Sequence, residues 1–135
     1  MDINAPSGIT KDNWKVLLEG KTIISKDPIP ITADNHGIAY FFGEFTADGF
    51  KWGTSYSPNS KPAYNRGTVN LDADFVNANK ANFTGKDDSG KVEQKGQIVF
   101  TVDNNTITDV TVKFTIGTTD YDGKEIKCGK PKELK

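Results

Sequence analysis

Alternation is the feature that most limits what this chain can become. From Gly67 onward Val69, Leu71, Ala73 and Phe75 fall on one side of an extended backbone, and Thr68, Asn70, Asp72 and Asp74 fall on the other. A period of two is the signature of a β-strand. The pattern returns in Ala81-Asn82-Phe83-Thr84-Gly85, in 97–102, and over 107–116, where Val110, Val112, Phe114 and Ile116 share a side. Strands with one apolar side must hide it, and the polar connections at 86–90 and 103–105 are short enough to be turns. The expected fold class is therefore all-β, a single antiparallel β-barrel or highly curved sheet. Its strands include 40–45, 50–56, 68–75, 97–102 and 108–116. Its core holds Val69, Leu71, Phe75, Phe83, Ile98 or Val99, Phe100, Val110, Val112 and Phe114.

The two ends read differently. Trp14, Leu17 and Leu18 stand at helical spacing, with Thr10 placed to cap and Gly20 to end a short helix. Trp14, Val16 and Leu18 fit a first strand equally well. Segment 1–35 is thus expected to be the less regular part, with Pro28 and Pro30 favouring an edge or an irregular connection. Residues 124–135 are rich in lysine, carry Glu125 and Glu133 and have no aromatic, which reads as a flexible, solvated tail. With 135 residues in all, one domain is expected.

Aromatic residues crowd 37–57: Tyr40, Phe41, Phe42, Phe45, Phe50, Trp52 and Tyr56. A hairpin is expected at Thr46-Ala47-Asp48-Gly49, where Asp-Gly would supply the positive φ of a tight reversal. The aromatics lie on both faces of that hairpin. Either both faces are covered, or one lines a pocket or partner surface. Downstream, 57–66 is the main irregular loop, and Tyr64 and Arg66 are its only side chains large enough to anchor a partner. Phe50, Trp52, Tyr64 and Arg66 are accordingly the candidate partner-binding residues. Their plain alternative is core packing for the first two, a tyrosine covering the rim, and a solvated arginine.

Residues for catalysis are sparse. His36 is the only histidine, and Ser25, Ser55 and Ser57 stand in no Gly-x-Ser-x-Gly elbow. Asp72 and Asp74 share the polar side of a strand, while Asp87, Asp88 and Asp103 read as turn chemistry rather than as a calcium loop. Phosphate-cradling glycine loops are absent from the sequence. No catalytic residue and no metal site is assigned, and the chain is not expected to be an enzyme. His36, in Asp34-Asn35-His36-Gly37 just before the aromatic strands, is a candidate axial haem ligand whose porphyrin walls would come from Tyr40, Phe41, Phe42, Phe45, Phe50 and Trp52. Its plain alternative is a hydrogen-bonding surface histidine.

A formal net charge of −1 leaves no global field for a polyanion, so nucleic acid is not expected as a partner. No apolar run approaches the roughly 18 residues of a membrane-spanning helix, so no transmembrane segment is expected. The start shows no signal peptide, as in a cytoplasmic protein or in an exported one expressed as its mature domain. Cys128 is alone, which excludes an internal disulfide.

The run Gly67-Thr68-Val69-Asn70-Leu71-Asp72-Ala73-Asp74-Phe75, then Lys80 to Gly85, then Ile98-Val99-Phe100 and Asn105-Thr106-Ile107 resembles the barrel domains of Gram-negative surface lipoproteins, the transferrin-binding protein B, factor H-binding protein and hemophilin kind. The chain departs from them after Ile116, where no closing Gly-x-Phe-x-Gly strand follows. Closure then falls to 121–128, to the amino-terminal segment, or to neither. The resemblance implies a non-enzymatic binder, at the cell surface or secreted, that captures a host protein or haem through its loops. Two other classes remain beside it: a small intracellular or phage-encoded protein inhibitor, and a lipocalin-like carrier whose barrel holds an apolar molecule.

Overall fold

The alternating segments pair with their neighbours in sequence, one after another. The computed structural model describes residues 14–31, 37–55, 57, 63–71, 79–103, 106–118 and 121–133. A short helix, α1 (Trp14–Leu18), leads into β1 (Lys21–Ile24) and β2 (Ile29–Ile31). Then come β3 (Gly37–Phe45), β4 (Gly49–Ser55), β5 (Ala63–Leu71), β6 (Lys80–Asp87), β7 (Glu93–Asp103) and β8 (Thr106–Ile116), and finally β9 (Glu125–Cys128) and β10 (Lys132–Glu133). The sheet runs β10-β1-β3-β4-β5-β6-β7-β8-β9, with β2 added to β3. The pairings between these strands are antiparallel, and one isolated bridge, Phe114 to Asp122, is parallel. Among the described residues the body is eight strands, β1 and β3 to β9, in a nearly closed barrel.

Closure involves both candidates. β9 pairs with β8 on one side. On the other, Ser25 bridges Cys128, Lys26 N–H donates to the Lys127 carbonyl at 2.9 Å, and Gly129 N–H to that of Ile24 at 3.3 Å. β10 also lies on β1. The expected solvated tail is therefore corrected: residues 125–128 and 132–133 are strands of the barrel. Ile126 and Cys128 are fully buried between the exposed Glu125 and Lys127.

Helix wins over strand at the amino end because Trp14 and Leu18, four apart, are buried while Val16 between them is 87% exposed. A strand would put all three on one side. Gly20, at φ 84°, ends the helix as expected. The β3–β4 hairpin forms too, but Gly49 does not take positive φ. Instead Thr46 Oγ1 accepts the amides of Asp48 (3.3 Å) and Gly49 (3.2 Å), and a Cβ on Gly49 would lie 2.1 Å from the Val69 carbonyl oxygen. The close approach of β5 to Gly49, rather than the backbone of the reversal, requires a residue without a Cβ there. Asp87 does what turn chemistry requires, accepting from Ser89 Oγ (2.7 Å) and from the amides of Lys91 and Val92. Those bonds hold its carboxyl below the usual range.

The barrel interior is filled by rings. Phe41 stacks on Trp52 at 5.4 Å; Phe50 meets Phe83 edge-on at 5.1 Å; Phe114 contacts Trp52 at 5.1 Å and Phe83 at 5.3 Å. Val69, Leu71, Phe83, Ile98, Phe100, Val110, Val112 and Phe114 are all in the core, as expected. Val99 is 36% exposed, so Ile98 is the inward one of that pair. Ile116 does not share the side of Phe114, being 44% exposed. Register shifts in β7–β8 at Lys95/Gly96 and at Thr101/Val102 insert single residues that turn the alternation over. Phe75, Asp72 and Asp74 lie outside the described residues.

Candidate functional site

Where β4 and β5 part company, the barrel wall carries a bulge. Trp52 pairs with Gly67 and Thr54 with Ala63, so Gly53 on β4 faces Tyr64, Asn65 and Arg66 on β5. Such irregularities cost ladder bonds and persist where something compensates for them. Here the compensation comes from inside. Gln94 of β7 is 1% exposed, accepts the Trp52 indole N–H on Oε1 at 3.0 Å, and donates from Nε2 to the Arg66 carbonyl at 3.2 Å. Gly67 leaves the space for this bridge, since a Cβ there would stand 2.1 Å from Gln94 Oε1 and 2.4 Å from Trp52 Nε1.

On the outer side of the bulge Tyr64 is half-buried, with the Lys51 ammonium 5.4 Å from its ring centroid. Lys51 in turn reaches Glu44 at 3.8 Å. Burial first, and the Glu44 charge second, push the Tyr64 phenol pKa up. The ring therefore presents a neutral hydroxyl, both donor and acceptor, throughout the physiological range. Arg66 is half-buried as well.

Beyond the bulge, the outward residues of β5, β6 and β7 line a groove of about 600 Å³: Thr68, Asn70, Thr84, Lys86, Glu93 and Lys95, with Gly85 in the floor. Register sets the pattern. Lys86 stands opposite Thr68 on one strand and Glu93 on the other, and Thr84 opposite Asn70 and Lys95. Glu93 and Lys95 are joined at 3.0 Å.

Of the partner-binding candidates, the structure brings Tyr64 and Arg66 together in the bulge and removes the other two. Phe50 is 0% exposed and Trp52 3%, so neither offers surface to a partner, and both are corrected to core residues. Their alternation put them on the side that the barrel closes over. The haem candidate His36 lies outside the described residues. Among its expected walls, Phe41, Phe45, Phe50 and Trp52 are turned inward onto one another or onto other core rings rather than toward a shared slot. Tyr56 and 58–62 are also outside the described residues, and 63–66, expected to be loop, belongs to β5.

Sequence reasoning missed Gln94 and the groove. A signal for the former existed: Gln94, Gly96, Ile98 and Phe100 alternate, which puts a glutamine on the inner side of a strand. The small nucleophiles have structural employment. Ser25 Oγ accepts the Phe41 amide at 3.0 Å and donates to the Asp27 carbonyl at 2.9 Å, while burial pushes the Cys128 thiol up to about 12. Among the described residues no group of three or more His, Cys, Asp or Glu side chains is arranged to hold a metal ion. No helix among them is long and apolar enough to cross a membrane. Comparison with protein-family models, with curated proteins and with solved structures finds no match for this chain.

Proposed function

We propose that this chain is a non-enzymatic binding protein, presented at a bacterial cell surface or secreted, that captures a host protein through the bulge at Tyr64–Arg66 and the adjoining 57–62 segment. The observation that carries this reading is the bulge itself. A buried glutamine spends both ends of its amide on holding it open, and the outcome is a half-buried tyrosine and arginine on an otherwise regular wall. Tyrosine and arginine on a rigid scaffold are the residue types that dominate binding energies at protein interfaces. The carrier reading is less well supported, because the rings of Phe41, Trp52, Phe83 and Phe114 occupy the interior that an apolar ligand would need.

The test is capture by immobilised protein from host serum and, side by side, from bacterial lysate. Retention of one serum protein, weakened by more than about 1 kcal/mol in Tyr64→Ala or Arg66→Ala at unchanged melting temperature, supports the reading. Retention from lysate alone replaces it with the inhibitor class. Retention unaffected by either substitution moves the site elsewhere.

A further inference from the structure

We propose that the groove on the outer face of β5, β6 and β7 is a binding site for an acidic oligosaccharide. This goes beyond the capture reading and does not depend on it, because the groove residues and the bulge residues are different.

Three properties of the groove point to that chemistry. Its side chains end in hydroxyl, amide, carboxylate and ammonium groups, and no aliphatic or aromatic residue stands among Thr68, Asn70, Thr84, Lys86, Glu93 and Lys95. An aromatic or aliphatic anchor from a protein partner would meet no apolar residue there, only the stems and methyls of polar ones. A sugar, which exposes a hydroxyl on nearly every carbon, is matched by Thr68, Asn70 and Thr84, each able to donate and accept. Glu93 adds an acceptor.

Charge gives the sign. Among the described lining residues Lys86 and Lys95 face one carboxylate, Glu93, so this lining carries one surplus positive charge in a chain whose net charge is −1. One row further, Lys51 stands opposite Thr68 but is matched by Glu44. Lys86 and Lys95 are diagonal neighbours on adjacent strands, since Lys86 pairs with Glu93 and Lys95 with Thr84. Diagonal neighbours lie within reach of one anionic group for long side chains. A uronate carboxylate or a sulfate would sit between the two ammonium groups and the sugar hydroxyls would lie along the threonines.

The test uses the full chain, isotope-labelled, titrated with a heparin-derived hexasaccharide, with neutral maltohexaose and with hexaglutamate, and followed by amide shifts. Saturable shifts centred on Thr68, Asn70, Thr84, Lys86 and Lys95 with the heparin fragment alone are expected. Lys86→Gln together with Lys95→Gln should weaken binding at least about tenfold, the worth of one charge-assisted hydrogen bond. Lys127→Gln, an exposed lysine on β9, should leave it unchanged. All three positions are exposed, so folding is not at issue. No saturable binding, or equal weakening by Lys127→Gln, overturns the proposal. Equal affinity for maltohexaose overturns the acidic assignment, and equal affinity for hexaglutamate replaces the sugar with an acidic peptide.

Discussion

Gln94 stands where strand alternation calls for an apolar side chain, and every polar atom of its amide is accounted for by a partner that would otherwise be stranded. Replacing it with leucine keeps the approximate volume and removes both bonds, leaving the Trp52 indole N–H and the Arg66 carbonyl without their partner. Each unsatisfied group costs about 1–3 kcal/mol. Gln94→Leu should therefore lower stability in urea by at least roughly 2 kcal/mol, with a shift in tryptophan emission; a change below about 0.5 kcal/mol would mean that water replaces the bridge. Cys128 is the opposite case, a polar group kept neutral. Its thiol is raised from an ordinary value of 9.0 to about 12, chiefly by burial, with Lys26 opposing. The folded state holds the proton more tightly than the unfolded one, so this contribution is complete below pH 9 and is lost as pH rises from there toward 12. A thiol reagent at pH 8 should react only after unfolding, and melting temperatures should fall on the alkaline side. Alternation in β7 marks Gln94 as an inward glutamine, but the sequence names the partners of neither residue. One looks like any strand glutamine and the other like any lone cysteine until its neighbours are known.

Strands were legible in proportion to their length. The long ones keep one side apolar over enough positions for the period to stand out, Ile98, Phe100 and Val102 in β7 and Val110, Val112 and Phe114 in β8. β9 shows only Ile126 and Cys128 among lysines and glutamates, and composition outvoted pattern in a segment that the structure makes part of the barrel wall. Bulges were illegible for a different reason: the inserted residue reverses inside and outside, and nothing local to Thr115 or Thr108 announces it. The corrected tail carries a sharp consequence. β9 buries Ile126 and Cys128 completely, pairs with β8, and meets Ser25 across the seam. Full burial of one such side chain contributes about 1.5–3 kcal/mol, and a domain of this kind has about 5–15 in all. Deleting 125–135 should abolish the cooperative thermal transition. A solvated tail would be removed without effect, so a truncated chain that melts like the full one would refute the closure.

At the scale of the barrel, local alternation sorts residues into two sets but does not say which set is inside; closure decides that. For β5, β6 and β8 the choice was obvious, because one set is apolar. The β3–β4 hairpin has aromatics in both sets, and there the sequence left Phe50 and Trp52 open between core and partner surface. Closure puts them inside, with Phe50 against Phe45 at 6.1 Å and Phe83 at 5.1 Å. It leaves Tyr64 on the outer side beside Lys51. The two residues now predict opposite behaviour. Phe50→Ala should cost roughly 3–5 kcal/mol, as should Phe114→Ala, since each opens a cavity in a ring cluster too tightly packed to collapse. Any loss of partner binding in those variants should follow the unfolded fraction and vanish at lower temperature. Tyr64→Ala removes a half-buried ring from the outside, so its melting temperature should change by only a few degrees or less, about what a loss under 1 kcal/mol produces in a domain this size. Under the proposed capture function, partner binding by Tyr64→Ala should fall at every temperature. Should Phe50→Ala instead keep its melting temperature and lose the partner, the hairpin tip would be the contact surface after all, and the inside and outside of β4 would be reversed.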